Sequence, residues 1–188
     1  MTFRLSTTAA SGVAIVACFS AIAHATEQAN LSPPQGLLVA EAVMRPRIVE
    51  RVLGEVGDEC ARRTPLLGPL AAEAVKDWHN RNGKYLVASA KYREDLRAII
   101  ESKSDSEQTR ALLQHIGPEV DVVVTNVSNQ IIARFKGDFA QNPAESAVIC
   151  RAYLEGAKNG MLDMNQQATA VARFLDQVAS GQPPWPKQ

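Results

Sequence analysis

The polar residues best placed to do chemistry surround one tryptophan, in the stretch DWHNRN that runs from Asp77 to Asn82. Asp77, His79 and Arg81 alternate along it and offer a carboxylate, an imidazole and a guanidinium, which are groups that bind small anions or metal ions. The competing interpretation places Trp78 in the core and makes its neighbours a solvated helix end, closed by Asn82 and the glycine after it. This second interpretation is favoured, because a lone histidine beside mixed charges is common on protein surfaces.

Known catalytic motifs are missing from the sequence. It contains no G-x-S-x-G elbow, no H-E-x-x-H zinc motif and no glycine-rich phosphate loop. His79 and His115 have no partner at a recognised spacing, and the adjacent carboxylates Asp58–Glu59 and Glu94–Asp95 do not face each other on a helix. The sequence therefore predicts no catalytic residue, no metal and no cofactor, while an enzyme site assembled from distant residues stays open.

The C-terminal segment, residues 181–188, has the sequence GQPPWPKQ and cannot form a helix. Its prolines favour an extended backbone on either side of Trp185. Trp185 is a possible binding residue, because tryptophan is enriched where proteins contact partners. The alternative, in which Trp185 folds back over a groove between helices, is favoured because a wholly exposed tryptophan is unfavourable.

The first 25 residues have the three-part pattern of a secretory signal peptide. Arg4 precedes an apolar stretch, the small-residue triplet AHA ends at Ala25, and polar residues begin at Thr26. A cut after Ala25 predicts a periplasmic or secreted protein. The alternative is a lipoprotein anchored through Cys18, since IVAC resembles a lipobox. The signal peptide is favoured because apolar residues continue past Cys18.

Removing that leader leaves 163 of the 188 residues, enough for one domain with a real core. We expect a flexible mature N-terminus over 26–36, a single helical domain over 37–180 and the tail over 181–188. The mature chain has 19 basic and 20 acidic residues, interspersed throughout. This pattern argues against nucleic-acid binding and a cationic membrane-surface helix. No transmembrane segment is predicted in the mature chain.

Two cysteines remain after the leader, Cys60 and Cys150. Neither belongs to a C-x-x-C motif or has a histidine close in sequence, so a metal or redox pair is disfavoured. Because exported chains fold in an oxidising compartment, we expect these two cysteines to form a disulfide. The bond would join the first long helix to the penultimate one.

Apolar residues recur at spacings of three and four through most of the chain, which predicts an all-α bundle of six to seven helices. The valine-rich stretch EVDVVVTNVSNQIIARF is included, because its length exceeds that of a typical strand. Helices are predicted to begin at Pro46 and at Gly117–Pro118, and one is predicted to end at Gly83. The loop Thr64–Gly68 is expected to separate two helices. Asn142 is expected to cap one helix, and Asp163 with Gln166 to cap the last.

These observations favour an exported cell-envelope protein that binds another protein without catalysis, as an inhibitor, an immunity-type protein or an accessory factor. In size and compartment the chain is similar to small helical periplasmic immunity or inhibitor proteins, a general likeness that rests on no motif. The first alternative is a small-molecule or lipid carrier with a cavity lined by Tyr85, Tyr92, Phe135 and Tyr153. The second is an enzyme that uses distant residues. The oligomeric state is left open.

Overall fold

The computed structural model describes residues 33–103 and 107–182. Over those ranges the chain forms six α-helices, one 3₁₀ turn and no strand, which confirms the all-α prediction. The predicted leader, Cys18 and Trp185 lie outside the described residues, and so does the side chain of His115. The helices are α1 (Pro33–Arg63), α2 (Gly68–Lys103), α3 (Glu107–Gln141), α4 (Ser146–Lys158), α5 (Met164–Gln167) and α6 (Thr169–Ala179), and the 3₁₀ turn Pro65–Leu67 joins α1 to α2.

The three long helices alternate in direction. The short turn after α1 sends α2 back along it, and the buried Ser89 hydroxyl of α2 donates to the carbonyl oxygen of Val43 at 2.9 Å. Helix α3 runs parallel to α1, because Arg47 bonds Asp121 while Arg51, four residues on, reaches Asn129.

Helix α4 runs parallel to α2 and is followed by α5 and α6, and we call these three helices the fourth column. The column begins beside the end of α1, where Cys60 is bonded to Cys150. It ends beside the second half of α2, where the rings of Tyr92 and Phe174 pack edge to face at 4.8 Å. The result is a bundle of three long helices and a fourth column that is broken midway.

The buried apolar side chains form two clusters, one towards each end of the bundle. One contains Tyr85, Tyr92 and Phe174 and is built from α1, α2, α3, α5 and α6. The other contains Trp78 and Phe139 and is built from α1, α2, α3, α4 and the 3₁₀ turn. Burial of this apolar surface is the main favourable term in folding, at about 25 cal/mol per Å².

The predicted disulfide is confirmed. Cys60 and Cys150 are fully buried, with an S–S distance of 2.10 Å and a Cα–Cα distance of 5.6 Å. The bond links the last turn of α1 to the first turns of α4 and therefore fixes the fourth column at its start.

Three predicted helix boundaries were wrong, because each falls inside a longer helix. Helix α1 begins at Pro33 and contains Pro46, and α3 contains Pro118. Helix α2 runs through Gly83, which is not among the glycines with positive φ. An interior proline costs about 3 kcal/mol, so the packing of these long helices outweighs the local preference to stop.

Two predicted helix caps also differ from the structure. Helix α4 begins at Ser146, and the Asn142 amide instead donates to the carbonyl oxygen of Asp138 at 3.5 Å. Asp163 does precede a helix, but that helix is the four-residue α5. The Asp163 carboxylate makes no capping bond to it. The last helix begins at Thr169. The carboxylate of Asp163 has a different role, which the next section describes.

Candidate functional site

Trp78 is a core residue, as the favoured interpretation of DWHNRN holds. Its side chain is fully buried in the cluster that surrounds the disulfide. The indole Nε1–H donates to the carbonyl oxygen of Leu162 at 3.0 Å. Trp78 therefore contributes both apolar burial to the core and one bond to the connection between α4 and α5.

Arg81 and Asn82 bind the same connection through Asp163. The Arg81 Nε–H donates to Asp163 Oδ2 at 2.7 Å, and a second guanidinium N–H donates to the carbonyl oxygen of Ala157 at 2.8 Å. The buried Asn82 amide donates to Asp163 Oδ1 at 2.9 Å and accepts the Met164 N–H at 2.9 Å. Both oxygens of this carboxylate are thus engaged by α2.

We call Trp78, Arg81 and Asn82 the α2 clamp. They are spaced three and four residues apart and therefore share one face of the helix. The clamp holds the break in the fourth column, where Gly160 has φ +90° and a Cβ would lie 2.9 Å from Asp163 Oδ2. Its role in the structure is to join two helices that are not collinear.

Asp77, the residue before Trp78, lies near α4 rather than in the clamp. Lys158 on α4 donates to Glu73 at 2.6 Å, and this bond raises the pKa of Lys158 and lowers the pKa of Glu73. The negative charge of Asp77 also raises the pKa of Lys158.

His79 lies on another side of α2, with Nε2 3.4 Å from Glu50 Oε1 of α1. The three polar residues therefore face different neighbours. Asp77 faces α4, His79 faces α1, and Arg81 faces the connection between α4 and α5. Within residues 33–103 and 107–182, no three His, Cys, Asp or Glu side chains are grouped to hold a metal ion. A binding role for these residues stays a prediction.

The four aromatic residues proposed to line a carrier cavity are divided between the two clusters. Tyr85 and Tyr92 belong to one, whereas Phe135 and Tyr153 pack against the other with ring centroids 4.9 Å apart. The Tyr153 hydroxyl is buried without a hydrogen-bond partner, and burial raises the pKa of this phenol. Ser128 Oγ is likewise buried and unpartnered.

The connection between α1 and α2 presents the most exposed large hydrophobic side chain among the described residues. Leu66 is 89% exposed, whereas the adjacent Leu67 is only 1% exposed and belongs to the core. Pro65 and Pro69 flank this pair and are also exposed. We call Pro65, Leu66 and Pro69 the α1–α2 tip.

Two backbone hydrogen bonds fix the turn that carries the tip. The Thr64 N–H donates to the carbonyl oxygen of Cys60 at 2.9 Å, and the Leu67 N–H donates to that of Thr64 at 2.8 Å. Pro65 fixes φ at the first position of the 3₁₀ turn. Cys60 is itself crosslinked to α4. Leu66 therefore projects from a turn with little conformational freedom.

Two arginines stand beside the tip and share one carboxylate. Glu59 is 4% exposed and accepts from Arg63 Nε at 2.6 Å, and it also pairs with Arg62. Arg62 keeps 67% of its side chain exposed. The exposed Asp58 lies one helical turn before Arg62, so the end of α1 beside the tip carries two acidic and two basic residues with no net charge.

Sequence reasoning treated this turn only as a break between helices and missed Leu66. The prolines on either side of the Leu66–Leu67 pair signal a rigid connection. Which of the two leucines is buried depends on how α1 and α2 pack, and no local pattern contains that information.

Comparisons with known proteins give no assignment: no family model, no curated protein and no solved structure matches the chain. Over the ranges that the structure describes, no helix combines the length and hydropathy needed to cross a membrane.

Proposed function

We propose that this chain is an exported protein that acts by binding another protein, as an inhibitor, an immunity-type protein or an accessory factor. The observation that carries the proposal is the α1–α2 tip, where Leu66 is 89% exposed on a turn braced by the core and the disulfide. A large apolar side chain held in water is unfavourable for the free protein and becomes favourable when a partner covers it.

Rigidity makes the tip a better binding element than a mobile loop with the same residues. Association costs free energy for every side chain and loop that must be ordered at the interface. In the tip most of that ordering has already occurred during folding, because Leu67 is buried and the turn is hydrogen-bonded to α1. A small apolar contact can therefore contribute usefully to affinity.

The disulfide supports an extracytoplasmic location. Structural disulfides persist in oxidising compartments and are rare in the cytosol. The Cys60–Cys150 bond is buried within the core, which is typical of a structural crosslink rather than a reactive one. Together with the predicted leader and its cut after Ala25, this bond favours a periplasmic or secreted protein.

A carrier of small molecules is the second candidate, and one observation favours it. The Tyr153 hydroxyl is buried without a partner beside the ring of Phe135. Buried polar groups nearly always have a hydrogen-bond partner, so an acceptor on a bound small molecule would satisfy this one. The enzyme alternative depends on His79 meeting His115, and the side chain of His115 lies outside the described part of the chain.

Native mass spectrometry distinguishes these functions. The C-terminally tagged protein is purified under mild conditions from the cell envelope of its own host. We expect a stoichiometric complex with a second, different protein. A small-molecule adduct that disappears in Tyr153→Phe would favour the carrier. A bare chain, recovered even after crosslinking in intact cells, would contradict both.

A further inference from the structure

We infer that the thioether of Met161, in the connection between α4 and α5, is a site of reversible oxidation by peroxides, and that its sulfoxide loosens the break in the fourth column. This modification site is independent of the proposed binding function. Its support is the exposure of the Met161 side chain, the notch in which the sulfur packs, and the bonds made by the backbone around it.

Met161 is the most accessible methionine of the described residues. It is 41% exposed, whereas Met164 is 1% exposed and Met44 is half-buried against the apolar cluster that contains Tyr92. The fourth methionine of the chain, Met1, belongs to the predicted leader. A peroxide dissolved in water therefore reaches the sulfur of Met161 before those of Met44 and Met164, because exposure governs susceptibility to oxidation.

The Met161 side chain packs against the C-terminal end of α4. The Met161 N–H donates to the carbonyl oxygen of Gly156 at 2.8 Å, and the Gly160 N–H donates to that of Ala157 at 3.2 Å. With Gly160 at φ +90°, these two bonds form a Schellman motif, in which the residue after the left-handed glycine packs back on the last turn of the helix. Met161 is that residue, and its Sδ and Cε lie 2.9 and 3.0 Å from the position that a Cβ on Gly156 would occupy. The sulfur therefore fills a notch that exists because residue 156 is glycine.

Oxidation changes the atom that makes this contact. A lone pair on Sδ attacks one oxygen of hydrogen peroxide, and the S–O bond forms as the O–O bond breaks. The proton of the transferred oxygen moves to the departing oxygen, which leaves as water, so sulfur loses two electrons and the peroxide gains them. The product is a polar sulfoxide in place of an apolar thioether. Because burial of a polar group is unfavourable without a hydrogen-bond partner, we expect the modified side chain to leave the notch for water.

Release of Met161 affects the bonds that join α4 to α5. The carbonyl oxygen of Met161 accepts from the Gln167 amide at 2.7 Å. The α2 clamp binds the two residues that follow, through the carbonyl oxygen of Leu162 and the carboxylate of Asp163. The Schellman bonds and the clamp thus act on consecutive residues, so opening of the helix end weakens the support of the residues that the clamp binds.

The test treats the disulfide-bonded chain, purified from the cell envelope, with hydrogen peroxide and follows it by peptide mapping, thermal unfolding and amide hydrogen exchange. We expect one added oxygen at Met161 while Met44 and Met164 stay unmodified. The oxidised chain should melt about 2 to 4 °C lower, the shift expected when a domain of this size loses one ordinary contact. The Met161 N–H should exchange faster, whereas the Thr64 N–H in the connection between α1 and α2 should not.

Two leucine variants provide the matched control, because leucine keeps a similar apolar volume and has no sulfur to oxidise. Each variant is compared with its own untreated sample, so a difference in starting stability does not affect the result. Peroxide should lower the melting temperature of Met44→Leu as it does that of the parent, and should leave that of Met161→Leu unchanged. Methionine sulfoxide reductases for both sulfoxide epimers should remove the oxygen and restore the melting temperature of the parent.

Four outcomes would overturn the inference. Oxidation of Met44 or Met164 as fast as that of Met161 would refute Met161 as the site. An oxidised Met161 with an unchanged melting temperature and unchanged exchange of its N–H would show that the notch accepts the sulfoxide. A peroxide effect of equal size in Met161→Leu would assign the change to another group. A lower melting temperature that persists after the reductases have removed the oxygen would refute reversibility.

Discussion

At the scale of single residues, Asn82 makes two buried hydrogen bonds to the break in the fourth column. It is buried, and its amide connects the carbonyl oxygen of Trp78, Asp163 Oδ1 and the Met164 N–H. The sequence suggested instead that Asn82 and Gly83 close a helix. Local spacing places Trp78 and Asn82 on one face, but nothing local indicates that Asp163, 81 residues later, lies opposite.

Asn82→Ala should lower the free energy of unfolding by about 2 to 3 kcal/mol, because it leaves a buried carboxylate oxygen and a buried N–H without their partner. Urea denaturation followed by circular dichroism measures the change. Asn80→Ala, at an exposed position on the same helix, is the control and should change stability by less than about 0.5 kcal/mol. Equal effects in the two variants would contradict the clamp.

Tyr153→Phe should not destabilise the protein at pH 7, because the hydroxyl that it removes has no hydrogen-bond partner. Its effect should appear in alkali. Burial raises the pKa of Tyr153 above the ordinary value of 10.0. Above that pH the unfolded chain releases the phenolic proton while the folded chain keeps it, so the parent loses stability as pH rises.

The measurement for Tyr153 is the melting temperature of the parent and of Tyr153→Phe between pH 7 and pH 11. Lysines and other tyrosines titrate in both proteins, so the difference between the two curves isolates this group. The variant should become relatively more stable as the pH passes about 10. Parallel curves would show that the Tyr153 hydroxyl is accessible to water in the folded protein.

At the scale of secondary-structure elements, the existence of the helices was predictable and their limits were not. The spacing of apolar residues identified the bundle correctly, including the valine-rich part of α3. Pro46, Gly83 and Pro118 were taken as boundaries because they are locally unfavourable inside helices. The structure retains all three inside long helices, because packing along the bundle exceeds those local costs.

Two glycine substitutions test this interpretation in opposite directions. Gly83→Ala should stabilise the protein by about 0.5 to 1 kcal/mol, because Gly83 is inside a helix and a Cβ there meets no atom within 4 Å. Gly160→Ala should destabilise it by more than about 1 kcal/mol, since φ is +90° and the Cβ would lie 2.9 Å from Asp163 Oδ2. Thermal unfolding of both variants provides the comparison. Destabilisation by Gly83→Ala would instead support a helix end at Gly83.

At the scale of the whole molecule, the disulfide is of the kind that persists in oxidising compartments and is rare in the cytosol. The crosslink was predictable because the leader predicts export and two cysteines remain after it. The α1–α2 tip was not predictable, because exposure of Leu66 is a property of the packed bundle. The proposed function lies further still from the sequence, because it depends on a side chain that only the packed bundle leaves exposed.

Removing the crosslink should weaken the molecule without changing its architecture. The bond closes a loop with a sequence separation of 90, which corresponds to about 4 to 5 kcal/mol in the chain-entropy model. The Cys60→Ser, Cys150→Ser double variant should lose about that much unfolding free energy and keep its helical circular dichroism spectrum. An unchanged melting temperature would show that the disulfide does not constrain the unfolded chain.

The most direct test of export and of the crosslink is the intact mass of the chain purified from the cell envelope under non-reducing conditions. We expect a chain that begins at Thr26 and whose mass rises by about two hydrogens on reduction, because Cys60 and Cys150 are bonded. A mass increment from acyl chains on Cys18 would mean a tethered protein. A chain that retains its leader and carries free thiols would contradict both export and the crosslink.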